Sequence, residues 1–180
     1  MTPFERQKLR EEEELIAKEI IKNGQKVGLS WYLYEGEYYQ IFNNTVRYAR
    51  QKSLKINSHE GWFVLDLDNS NACVIYIDGF EKVLNGVDVN TVVIYPDKYF
   101  MFRSLSGVWE LWRHDAHILS ADTITRLTDV LWSLSSNGIY YISNLNDRFT
   151  RPVGKFPLQV DDRSVFFVDE VGVRQDITIF

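Results

Sequence analysis

From Trp62 to the C-terminus the chain runs in short apolar stretches, each closed by a turn signal. Strands are expected at 62–67, 72–78, 91–95, 99–104 and 108–114, separated by Asp68-Asn69-Ser70-Asn71, Pro96-Asp97-Lys98 and Ser106-Gly107. Asn85-Gly86 marks a further turn, with Lys82–Leu84 as one arm of a small hairpin. Ile139–Ser143 and a C-terminal hairpin, Ser164–Asp169 with Val173–Ile179, continue the pattern. Consecutive turn-joined strands that do not alternate with helices imply antiparallel pairing.

Upstream the pattern differs. Thr2-Pro3-Phe4-Glu5 combines an N-cap hydroxyl, a proline at the first helical position and a glutamate three residues on, the sign of a capping box. A helix is expected to about Lys22, with Asn23-Gly24 supplying a left-handed stop. Its stripe of Leu9, Ile16 and Ile20, with Leu15 and Ile21 beside it, is narrow, and Glu11-Glu12-Glu13-Glu14 is polar all round. Such a helix projects from the body or docks its C-terminal half only.

Trp31–Tyr34, Glu35-Gly36 and Glu37–Phe42 read as an aromatic β-hairpin. Asn44 is expected to cap a short second helix, Thr45 to about Lys52, bearing Arg47, Arg50 and Lys52, with Lys55 just past it. Ser120 is expected to cap a third, with Ile124, Leu127, Leu131 and Leu134 on one face and Gly138 past its end. The fold expected is therefore α+β: a single domain with a mostly antiparallel sheet and two to three helices. Residues 1–24 form the long charged N-terminal helix and 25–180 the body. The one internal boundary lies near residues 23–30.

Composition narrows the function classes. With 10 Gly, 4 Pro and one Cys in 180 residues, collagen, low-complexity and disulfide-framework classes are excluded. Net charge is -5, which disfavours general nucleic-acid binding and anionic membranes. The first 58 residues carry 10 basic and 8 acidic side chains, the remainder 10 and 17. No stretch approaches the ~20 apolar residues of a membrane span, and the N-terminus lacks the apolar core of a signal peptide. A lone Cys73 suits a reducing cytoplasm.

Three constellations bear on chemistry. Phe63-Val64-Leu65-Asp66-Leu67-Asp68 ends a strand in Asp-x-Asp, and period 2 puts both carboxylates on one face. Asp66 and Asp68 could share Mg²⁺ or Mn²⁺, relieving their mutual repulsion and serving phosphoryl or nucleotidyl transfer, or a nuclease. Nucleotidyltransferases and primase-like polymerases use a similar strand-borne pair. The histidine that the latter carry is missing after Ser106-Gly107, so no family is assigned. The alternative is a solvent-facing Asp66 and an Asp68 that opens a turn.

In Arg113-His114-Asp115-Ala116-His117 two histidines flank an acid. His114 and His117 could act as base or metal ligand with help from His59, Glu60, Asp66 or Asp68. A polar strand end accounts for the same segment. Nucleophile-elbow, Walker and dinucleotide-binding patterns are absent, and Cys73 lies inside the apolar run Ala72–Ile77 as a small core residue.

The third constellation is a surface. Trp31, Tyr32, Tyr34, Tyr38 and Tyr39 lie beside Arg47 and Arg50, residue types that dominate interface hot spots. Alternation leaves some of these rings exposed. The same aromatics beside Arg47, Arg50, Lys52 and Lys55 could stack bases of a single strand. The expectation is a non-catalytic interaction protein needing no cofactor, which binds a protein partner or self-associates through the N-terminal helix and the Tyr/Trp hairpin. Small acidic cytoplasmic inhibitors, immunity-type proteins and phage-encoded accessory proteins share this size and charge.

Overall fold

The computed structural model describes residues 1–28, 30–51, 53–57, 62–67, 71–77, 79–146 and 149–178; for Arg50 and 53–57 the description covers the backbone only. Among these residues there is one helix, α1 (Pro3–Asn23), and the strands form five small antiparallel sheets. The chain divides into two compact units, Met1–Lys98 and Tyr99–Phe180.

The α1 N-terminus has the expected capping box: Glu5 N–H donates to Thr2 Oγ1 at 3.1 Å, and Thr2 N–H donates to Glu5 Oε2 at 2.8 Å. Its stop is not left-handed. Gly24 is extended at φ -82° and ψ 167°, and its N–H bonds the Ile20 carbonyl. A Cβ at Gly24 would lie 2.6 Å from that carbonyl oxygen, so glycine is required here by close approach.

In the first unit, β1 (Gln25–Lys26), β2 (Trp31–Tyr34), β3 (Glu37–Phe42) and β4 (Thr45–Gln51) form one meander. A second meander takes β5 (Ser53–Asn57), β6 (Trp62–Asp66), β7 (Ala72–Ile77) and β8 (Phe80–Asn85), and β9 (Val87–Ile94) ends the unit's strands. The second unit holds β10 (Tyr99–Ser104), β11 (Trp109–Arg113) and β12 (Ala116–Ala121). It continues with β13 (Thr123–Arg126), β14 (Leu131–Ser136), β15 (Ile139–Asn144) and β16 (Phe149–Gly154). The last sheet is β17 (Gln159–Val160), β18 (Val165–Val168) and β19 (Arg174–Ile177).

The α+β expectation with two to three helices is overturned by this strand-dominated architecture, which has a single helix among the described residues. The supposed helix from Thr45 is β4. Asn43 and Asn44 adopt φ of 50° and 62°, forming a two-residue turn that pairs Phe42 with Thr45, so Asn44 turns a hairpin and caps nothing. The β-branched and aromatic residues Thr45, Val46 and Tyr48 favour that strand. The supposed helix from Ser120 is the β13–β14 hairpin, in register from Thr123–Ser135 to Arg126–Trp132. Leu127 and Leu131 are four apart because a turn lies between them. There the Thr128 hydroxyl accepts the Val130 and Leu131 N–H groups. Gly138, expected just past a helix end, instead forms the next hairpin turn with Asn137, with φ of 78° and 53°.

The first unit's core explains the aromatic hairpin. Trp31, Tyr38, Leu33 and Tyr48 face the second meander, where they pack with Phe63, Leu65, Leu67 and Val74. Tyr38 stacks across this layer on Phe63 at 6.1 Å, and Phe63 stacks on its cross-strand partner Tyr76 at 4.9 Å. The opposite face of the first meander carries Tyr32, Tyr34, Tyr39, Ile41 and Val46, which pack against Ala17 and Ile20 of α1.

Candidate functional site

α1 covers the first meander incompletely. Only Ala17 and Ile20 of the helix are buried. Ile16 stays 53% exposed on the near side, and the N-terminal half is open to solvent. What results is an open groove of about 360 Å³. The helix contributes Glu13, Ile16, Glu19 and Ile20, and the sheet contributes Tyr34, Glu35, Tyr39, Val46 and Ala49.

Two turns build the sheet side. Glu35-Gly36, with φ of 48° and 79°, closes β2 onto β3 and pairs Tyr34 with Glu37. The Asn43-Asn44 turn then returns β4, with Val46 opposite Ile41. Tyr34 and Tyr39 meet edge to face at 6.1 Å, and the Tyr34 hydroxyl donates to Glu19 Oε1 at 3.2 Å. Desolvation first, and then the Glu19 and Glu35 carboxylates, push the Tyr34 hydroxyl pKa upward. The groove thus has an apolar and aromatic floor with carboxylates at its rim.

The seven residues expected at a partner surface separate. Tyr34 and Tyr39 line the groove. Tyr32 is half-buried on the same face, in the cluster under α1. Trp31 and Tyr38 are buried, at 0% and 6% exposure, and belong to the core. Arg47 is exposed on β4, its guanidinium 5.8 Å from the Tyr48 ring centre. The side chains of Arg50 and Lys55, and the whole of Lys52, lie outside the described residues. The basic helix that Arg47 and Arg50 were to share is a strand.

Glu13, Glu19, Glu35, Ile16, Val46 and Ala49 were not anticipated as site residues. Ile16 and Ile20 were visible as a helix stripe. Val46 was hidden by the helical reading of 45–52.

For the carboxylate pair, Asp68 lies outside the described residues, as do His59 and Glu60. Asp66 ends β6 on the face away from Phe63 and Leu65, directly opposite Cys73 of β7. Its Oδ1 is buried and has no hydrogen-bond partner among the described residues. His114 lies in the β11–β12 turn with φ 52°. His117 sits on β12, its Nε2 2.9 Å from Ser120 Oγ and 3.9 Å from Glu110 Oε1. A catalytic triad sets its acid and its nucleophile on different ring nitrogens of the histidine. Here one nitrogen faces both, so the cluster is not a triad. Asp66 belongs to the first unit and both histidines to the second. Among the described residues no group of three or more His, Cys, Asp or Glu could hold a metal ion. No helix among them is long and apolar enough to cross a membrane.

Neither a protein-family model nor a curated protein sequence matches this chain.

Proposed function

We propose that this chain is a non-catalytic protein-interaction module that holds a partner in the groove between α1 and the first meander. The observation that carries the reading is the groove itself: Tyr34 and Tyr39 line it next to an isoleucine left half in water. Tyrosines that present area at low entropic cost, beside exposed aliphatic surface, have the composition of an interface centre. The acidic charge, modest size and single buried thiol fit a cytoplasmic accessory or inhibitor protein of the immunity or phage-encoded kind.

Photo-crosslinking tests this. Benzoylphenylalanine at Ala49 should capture a partner in cells, and the Tyr39→Ala change should abolish capture. A probe at Val83, exposed on β8, should capture nothing. Equal capture at both positions, or none at Ala49, defeats the reading.

One observation favours a second reading, a Mg²⁺- or Mn²⁺-dependent phosphoryl- or nucleotidyl-transfer enzyme using Asp66 and Asp68. It is the Asp66 Oδ1, buried and without a hydrogen-bond partner among the described residues, since a buried carboxylate oxygen ordinarily has a partner. A metal at 100 times its dissociation constant should add about 2.7 kcal/mol to stability, and the Asp66→Asn variant should lose that gain. No shift in melting temperature with either ion dismisses this reading.

A further inference from the structure

Resting on the groove reading above, we propose that the occupant is a basic segment of the partner, inserting a lysine or arginine whose aliphatic stem lies on Ile16, Ile20 and Val46 and whose cationic head reaches Glu13, Glu19 and Glu35. The argument is charge and shape complementarity. Among the described lining residues there are three carboxylates and no lysine or arginine. An anionic ligand would meet uncompensated repulsion there. A wholly apolar one would cover Glu19 and Glu35 without pairing them, at a desolvation cost. A lysine or arginine satisfies both halves of the site, because its methylene stem packs on apolar surface while its head stays polar. The Tyr34 and Tyr39 rings, edge to face at 6.1 Å, offer π faces to the same cation. The run Glu11–Glu14 leads up to the groove along α1, a potential that draws a basic segment and repels nucleic acid or an anionic membrane.

Disulfide exchange at one introduced thiol reads this preference directly. Ala49→Cys places a thiol in the groove, where Ala49 is exposed, while the native Cys73 is fully buried. The variant is equilibrated with equal concentrations of cystamine, bis(2-hydroxyethyl) disulfide and dipropyl disulfide, and adducts are counted by intact mass. Ratios are taken against the same experiment on Val83→Cys, which cancels the intrinsic reactivities of the three thiols. The cationic adduct should exceed the hydroxyethyl adduct roughly fivefold in the groove, and Glu19→Gln/Glu35→Gln should bring the ratio to parity. A dominant propyl adduct, unaffected by the glutamine changes, overturns the basic occupant but leaves the groove reading standing. Three equal adducts defeat both. A cationic preference of the same size at Val83→Cys assigns the effect to net charge and overturns the proposal.

Discussion

Asp66 and Cys73 are direct cross-strand partners in the β6–β7 pair. The thiol is pushed up to about 12, by burial first and by the Asp66 charge second. A carboxylate beside a buried thiol holds that thiol protonated, the opposite of the electropositive setting that activates cysteines. Cys73 therefore reads as a core group.

Native Cys73 should resist Ellman's reagent at pH 8 and react once urea unfolds the chain. The alkaline limb follows from the same shift. The folded thiol keeps its proton between about 9 and 12 while the unfolded one loses it, so stability falls as pH rises through that window. The loss approaches roughly 4 kcal/mol at the top of the window. Urea midpoints from pH 8 to 11 should show it in wild type and not in Cys73→Ala. Parallel profiles for the two proteins would refute it.

Asp161 gives the acid counterpart in the second unit. It accepts the backbone N–H groups of Arg163 and Ser164 and pairs with Arg174 at 2.6 Å. The backbone bond from Arg163 and the Arg174 guanidinium hold its carboxyl well below the usual carboxylate range. Its contribution is present above the ordinary carboxylate pKa and fades as pH drops through the depressed value. The Asp161→Asn variant should melt earlier than wild type at pH 6, with the gap closing toward pH 2. A constant gap would show that the amide loses packing, not charge.

Neighbouring aromatics should behave in opposite ways. Tyr34→Ala and Tyr39→Ala should each weaken partner binding by about 2 kcal/mol, enough to remove capture at low partner concentration, with small cost to folding. Trp31→Ala should destabilise the chain by about 3–5 kcal/mol, because Trp31 is fully buried and stacks on Tyr48 at 6.1 Å. Tyr38→Ala should likewise register in urea unfolding. Equal stability losses at Tyr34 and Trp31 would contradict the two-faced packing.

The helix should divide energetically at its middle. Ile20→Ala should cost about 2–5 kcal/mol, since Ile20 is 2% exposed. Removing residues 1–10, all exposed, should change the urea midpoint by less than about 0.5 kcal/mol equivalent while lowering helical circular dichroism. A large loss on truncation would mean that the outer helix is held by more than its own backbone bonds.

Local chemistry alone determined the α1 N-cap, the Trp31–Phe42 hairpin and the strands expected at 99–104 and 108–114, the second of which runs from Trp109 to Arg113. In each, a capping box, alternation or a Gly turn acts over a few residues and has one solution. Segments 45–51 and 123–136 had two. Leu127 and Leu131 satisfy a helical face and equally a hairpin whose turn lies between them, and only the pairing of Thr123 with Ser135 selects the second. Asn44 could cap a helix or turn a strand, and Phe42 opposite Thr45 settles it. The groove was further from reach. Glu19 and Tyr34 are fifteen residues apart, and the first 58 residues are net basic, yet the charged residues among the described lining of the groove are three glutamates. Alternation shows that the hairpin has two faces. Which face meets the second meander and which meets half a helix is decided by burial of long-range partners, and that decision separates Trp31 and Tyr38 from Tyr34 and Tyr39.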